Sequence, residues 1–284
     1  MKLGKFNINL LDTGIFSLDG GAMFGVIPKP LWSKQYHPGD EMNRIPLSAR
    51  PLLIRYEDKV ILIDTGNGNK MNEKFVRMYG IDMEKTAIET ALNPFNVTPD
   101  QVTDVILTHL HFDHTGGSTI LDNGELIPTF KNAKYYVQKE HFDWAYKPTE
   151  KDRGSFLKEN FDPITNNNMF EFIQGDEEIF PGISAVTLFG HTKAMQAIKL
   201  TSEGQTAFYA ADLAPTAAHL GLAYSLAYDN FPIGTIEDKK KVWNNAVDED
   251  WTIIYEHDAF NEATKIKRNE KGGFEKGNIV VIND

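Results

Sequence analysis

Ten consecutive residues constrain this chain more than any other feature: Thr108-His109-Leu110-His111-Phe112-Asp113-His114-Thr115-Gly116-Gly117. Three imidazoles and a carboxylate fall within six residues, directly after the apolar run Val105-Ile106-Leu107. A continuous strand would send alternate side chains to opposite faces, and a helix would spread six residues over more than a turn. A tight loop can turn all four inward around a metal ion, and Gly116 and Gly117 relieve the backbone where it bends close to the site. The bland alternative is a polar loop with chance histidines. No common structural need gathers His, His, Asp and His in this way, whereas histidine is the commonest metal ligand.

The donors must be nitrogen and oxygen, because the 284-residue chain has no cysteine. That removes disulfides, thiolate catalysis and thiolate metal sites together. A net charge of −11 opposes binding to a phosphate backbone, so nucleic acid is excluded as a first partner. The start, Met1-Lys2-Leu3-Gly4-Lys5-Phe6-Asn7, lacks the apolar core of a secretory leader. No stretch approaches the roughly 20 apolar residues of a membrane span. The expectation is a single cytoplasmic domain over 1–284 with no membrane partner.

Phe6 to Leu11 reads as a first strand. Residues 18–48 are punctuated by Gly and Pro yet rich in large apolar groups, as expected of an irregular segment. Its aromatics either cap the core or form a mobile flap over a substrate pocket. Pro51–Tyr56 and Lys59–Asp64 read as a hairpin, and Asp64 stands before the Gly-rich turn Thr65-Gly66-Asn67-Gly68. That carboxylate either caps backbone amides or orients a metal-bound imidazole from behind. Helices are expected over 72–79, 83–92, 139–146 and 237–247, with a helix start or turn at Thr98-Pro99-Asp100-Gln101. His141, beside Phe142 and Trp144, reads as a packing histidine. Residues 147–168 read as a surface insertion anchored by Phe156, Leu157 and Phe161. Four strands at 170–173, 183–188, 196–200 and 206–210 are expected to run antiparallel, followed by a buried strand at 251–255 and a closing hairpin. Strands followed by helices in each half imply two packed sheets with helices outside.

His191, Asp212 and His257 each follow an apolar strand, where they would converge at one edge of such a sandwich. Thr108-His109-Leu110-His111-Phe112-Asp113-His114-Thr115-Gly116-Gly117, Gly190-His191-Thr192, Ala211-Asp212-Leu213 and Glu256-His257-Asp258 together resemble the metallo-β-lactamase superfamily of metal-dependent hydrolases. The segments from Asp19 to Trp32, from Ala211 to His219 and from Tyr228 to Pro232 resemble its quorum-quenching N-acyl-homoserine lactonase branch. The resemblance implies an α/β (α+β) fold, an αββα sandwich of two mixed sheets, with two metals at one edge. His109, His111 and His191 would hold one metal, Asp113, His114 and His257 the other. Asp212 would bridge them, and Asp64 would stand behind. Five imidazoles and two carboxylates suit a pair of divalent ions, zinc first, with iron, manganese or cobalt also tolerated.

The implied reaction is hydrolysis of a lactone or similar ester by water ionised between the two cations, with Asp113 relaying a proton to the leaving alkoxide. Phe24 and Trp32 would cover an acyl chain. Two departures stand out. Lys193-Ala194-Met195 replaces the usual Pro-Gly-His after His191, which makes Lys193 a candidate pocket residue. Pro215 occupies the place where some lactonases carry a carbonyl-polarising Tyr, leaving His219, Tyr228 and Tyr224 as substitutes, His219 first. Other ester, phosphotriester or thioester hydrolases share the same donor set, and a redox di-iron protein is the reading from a different class. The apolar N-terminal segment allows a homodimer.

Overall fold

The computed structural model describes residues 1–283. Two seven-stranded mixed sheets pack face to face with helices on their outer faces. The first sheet begins with antiparallel strands Lys2–Leu3, Phe6–Leu10, Leu52–Tyr56 and Lys59–Ile63. It continues in parallel through Asp104–Ile106, Lys134–Gln138 and Phe170–Ile173. The second runs Glu177–Phe180, Ile183–Leu188, Met195–Ser202, Gln205–Tyr209, Thr252–Ile254, Ala263–Arg268 and Phe274–Val280. Only its Gln205–Tyr209/Thr252–Ile254 pair is parallel, the crossover being the helix Pro232–Asp248. Phe170–Ile173 therefore differs from expectation. It closes the first sheet alongside Lys134–Gln138 rather than pairing with the strands that follow. No helix among the described residues is long and apolar enough to cross a membrane.

Alternation explains the layers. In Phe6–Leu10, Phe6, Ile8 and Leu10 point one way and are buried. With Ile54, Ile61, Ile63 and Ile106 they meet Ile183, Ile198, Leu200 and Ile254 of the second sheet in the central core. The outer face of the first sheet is covered by Ile88–Leu92 and Lys139–Tyr146, and that of the second by Val242, Trp243 and Ala246 of the long helix. The helix expected over 83–92 is shorter, because a turn forms first, the Asp82 carboxylate accepting the Glu84 N–H and the Asp82 carbonyl the Lys85 N–H.

The segment 18–48 is not irregular. Asp19 caps a short helix Gly20–Phe24, Pro30 opens a second, Lys29–Gln35, and Arg44–Ser48 pairs with Ile15–Asp19. Phe24 and Trp32 are buried in a fourth cluster with Phe16, Leu47 and Leu226, so the aromatics cap the core. Residues 147–168 are more than a surface insertion: Phe156, Phe161 and Ile164 join the first sheet's outer core.

Gly116 holds the fold to the site. The turn after Lys59–Ile63 lies backbone to backbone on the Gly116-Gly117 stretch, so that a Cβ on Gly116 would strike the Asn67 carbonyl. Gly116→Ala is expected to destabilise the protein by about 1–3 kcal/mol through this overpacking, read as a lowered midpoint in thermal melting.

Candidate metal centre

All seven expected donors come together at one edge of the sandwich. His109 and His111 lie on the loop after Asp104–Ile106, and Asp113 and His114 lie in the single helical turn Phe112–Thr115. His191 follows Ile183–Leu188, Asp212 sits in the turn Ala211–Leu213, and His257 follows Thr252–Ile254. His111 Nδ1 is 3.0 Å from His109 Nε2 and 3.2 Å from His191 Nε2, while His114 Nε2 is 3.1 Å from His257 Nε2. Asp212 spans the two groups, with Oδ2 3.1 Å from His191 Nε2 and Oδ1 3.3 Å from His257 Nε2. Asp113 Oδ2 is 3.7 Å from His257 Nε2. The result is two triads, His109/His111/His191 and Asp113/His114/His257, with one carboxylate between them.

The backs of the rings decide which nitrogens face inward. Thr108 Oγ1 donates to Asp64, so it accepts from His109 Nδ1–H at 3.0 Å. His191 Nδ1–H donates to Asp229 at 3.0 Å, and His257 Nδ1–H to the Ser48 carbonyl at 2.8 Å. His114 Nδ1–H faces Asp64 at 3.1 Å. Each of these rings therefore turns a bare Nε2 into the site, as metal-bound imidazoles require. Asp64 also accepts from the Thr108 backbone N–H, and adopts the left-handed region with φ 58°. Ala211, just before Asp212, does the same with φ 46°. Such conformations cost energy and are kept where the surroundings impose them.

Burial and the neighbouring imidazoles hold His109 and His111 well below the usual histidine range. Asp212 is buried, which raises a carboxyl, yet His191, His114 and His257 keep it well below the ordinary range. Burial pushes His257 down, but Asp212 and Glu256 override it and bring it to about 9. The carboxylates thus hold positive charge on the buried rings of His257, His191 and His114, and two divalent cations would meet the same demand. The residues fit such a pair: all donors are imidazole nitrogen or carboxylate oxygen.

A cavity of about 160 Å³ opens over this centre. Its walls include Leu18, Met23, Phe112 and Leu226, with Tyr79, Lys151 and Tyr228 as polar members. Of the expected pocket residues, Tyr228 is there. The others are not. His219 is fully buried with both ring nitrogens committed, to Thr216 Oγ1 and the Met23 carbonyl, so it cannot polarise a substrate carbonyl. Tyr224 accepts from Gln35 and lines a separate cleft. Lys193 pairs with Glu140 at 3.0 Å on the outer surface. Phe24 and Trp32 are core.

Four residues escaped sequence reasoning. Asp229 lies in the Tyr228–Pro232 motif and orients His191. Glu256, beside His257 in the chain, places its carboxylate 2.9 Å from His114 Nδ1. Lys151, in the expected surface insertion, reaches the rim and holds the Tyr228 and Asp229 carbonyls. His141 is more than packing: its Nε2 accepts the Leu110 N–H, its Nδ1–H donates to the Lys193 carbonyl, and it fastens two ligand loops together. Only the adjacency of Asp229 and Glu256 to quoted motifs was a signal.

A shared carboxylate between two imidazole-rich triads, at the edge of two stacked sheets, defines a dinuclear metallohydrolase centre. The chain belongs to the metallo-β-lactamase superfamily, whose family model matches residues 46–246. A probable metal-dependent hydrolase from Staphylococcus aureus superposes with a TM-score of 0.88 at 31% identity, over 99% of this chain and 100% of that one. AidC, a dizinc quorum-quenching lactonase, superposes with a TM-score of 0.82 at 18% identity over 100% and 97%, a likeness of fold alone. An N-acyl homoserine lactonase of a Bacillus species is 30% identical over 160 residues, covering 53% of this chain and 57% of that protein. One from Bacillus cereus is 29% identical over 175 residues, covering 58% and 62%. The match thus spans about three fifths of these curated relatives.

Elemental analysis of the purified protein is expected to find two divalent ions per chain. Asp229→Asn weakens the hold on His191 and is expected to lower metal affinity about 10–100-fold, measured by competition with a chelating dye, with the circular dichroism of the fold retained.

Proposed function

We propose that this chain is a zinc-dependent lactone hydrolase whose substrates are N-acyl-homoserine lactones. The observation that carries the reading is the cavity's size and lining. A void of about 150 Å³ accommodates a benzene-sized ring, so about 160 Å³ suits one small ring directly over the metal centre. Leu18, Met23 and Leu226 give an acyl substituent an apolar path outward, and Lys151 is the single lysine or arginine in the lining.

When bound, the two cations supply Lewis acidity and an ionised water at neutral pH. The chain does the rest. His109, His111 and His191 with Asp212, and Asp113, His114 and His257 with the same Asp212, would hold the pair. The half-exposed Tyr228 hydroxyl hydrogen-bonds the lactone carbonyl oxygen as it gains charge. Water oxygen bonds to the carbonyl carbon, the ring C–O bond breaks, and the Asp113 carboxyl passes the released proton to the alkoxide. Met23, Leu226 and Phe112 exclude bulk water from that exchange.

The test is turnover of acyl-homoserine lactones by metal-loaded protein, with His109→Ala as the inactive control. Absence of turnover for both short and long acyl chains, alongside cleavage of a phosphotriester or thioester, would assign the centre to another hydrolase class. Tyr228→Phe is expected to lower kcat about 10–100-fold with metal content unchanged, somewhat less than a fully enclosed oxyanion donor because this tyrosine is half open to solvent.

A further inference from the structure

We infer that His219 is the latch of the N-terminal segment and, through Met23, a positioning residue for the apolar part of the substrate. The latch itself is read from geometry alone. Its effect on the substrate rests on the lactone reading above.

The Met23 carbonyl can only accept, so the 2.8 Å contact to His219 Nε2 fixes the proton on that nitrogen. Nδ1 is then bare, and accepts from Thr216 Oγ1 at 2.8 Å. Thr216 Oγ1 in turn accepts the Ala218 N–H, which settles its own direction. Burial, reinforced by the Lys239 charge, pushes His219 down to about 3, so one neutral tautomer persists through the whole working range. The imidazole face carries the Phe24 ring at 4.5 Å and 14°, and Phe24 also stacks on Trp32 at 5.1 Å and 3°. His219 therefore grips Gly20–Phe24 twice, by a hydrogen bond to Met23 and by a stack on Phe24.

The grip has an anchor. Lys239 of the helix Pro232–Asp248 is fully buried, and its ammonium donates to the carbonyls of His219 at 2.6 Å and Tyr224 at 2.7 Å. Force on the segment thus passes from Met23 to His219, to Lys239 and into the long helix. Met23 is the payload: its carbonyl is held by the latch, and its side chain forms cavity wall with Leu18 and Leu226. Asp212 and Thr216 share one short stretch of chain, so the same loop that carries the bridging carboxylate sets the height of the apolar wall.

His219→Phe keeps the stack and removes both hydrogen bonds; His219→Gln restores a donor near the Nε2 position. In hydrogen exchange on the metal-loaded protein, amides of residues 20–27 are expected to exchange about tenfold faster in His219→Phe and close to the parent rate in His219→Gln, with metal content equal in all three. Lys239→Met, which cuts the anchor from the other side, is expected to speed the same amides and serves if His219→Phe does not fold. With lactones, His219→Phe is expected to raise KM several-fold for long acyl chains, more than for short ones, while kcat changes less. Unchanged exchange in both His219→Phe and Lys239→Met overturns the latch. Faster exchange with no change in the long-to-short KM ratio overturns the positioning role. If the parent protein turns over no lactone, the functional reading fails, and the exchange result still decides the latch.

Discussion

The structure depends on one electrostatic constraint: five imidazole nitrogens and two carboxylates crowd one buried edge of the sandwich. Buried charges and unshared pairs in such proximity repel unless cations lie between them. The chain meets the constraint by tying four of the five rings from behind. Asp64, Asp229, Thr108 and the Ser48 carbonyl each take one N–H, and each is buried or held by further hydrogen bonds. Backbone strain at Asp64 and Ala211 is concentrated beside the donors and absorbed by this network.

The two sheets matter because neither carries the centre alone. The first contributes the loop after Asp104–Ile106, the second supplies His191, Asp212 and His257. Their relative placement must then be held to a fraction of an ångström. His141 bridges Leu110 to Lys193, Gln196 donates its backbone N–H to the Thr108 carbonyl, and Ser48 donates to the carbonyls of Glu256 and Asp258. These polar cross-ties sit around the centre, while Ile8, Ile63, Ile198 and Ile254 fill the apolar middle of the sandwich. Adhesion comes from the middle and alignment from the edge.

The donors and the layers were legible because both are written locally: six residues hold four donors, and strand alternation or apolar runs mark the sheets. The pocket was not, because it is written in tertiary contacts. Phe24 and Trp32 look like a lid in a Gly- and Pro-punctuated stretch, but Asp19 and Pro30 start helices that turn both rings inward. His219 looks like a spare catalytic imidazole, yet the Met23 carbonyl some 200 positions away claims it. Lys151 looks like a surface charge until its contacts with the Tyr228 and Asp229 carbonyls bring it to the rim. Phe170–Ile173 is as apolar as its successors, and only pairing with Lys134–Gln138 assigns it to the other sheet.

A donor set made wholly of nitrogen and carboxylate oxygen has no sulfur for peroxide to attack. Among the residues lining the cavity, the Met23 thioether is the single sulfur. Conversion to the sulfoxide would turn that greasy wall into a dipolar one and leave every ligand atom intact. Oxidation at Met23 would therefore change which guests the cavity admits and leave the inorganic core untouched.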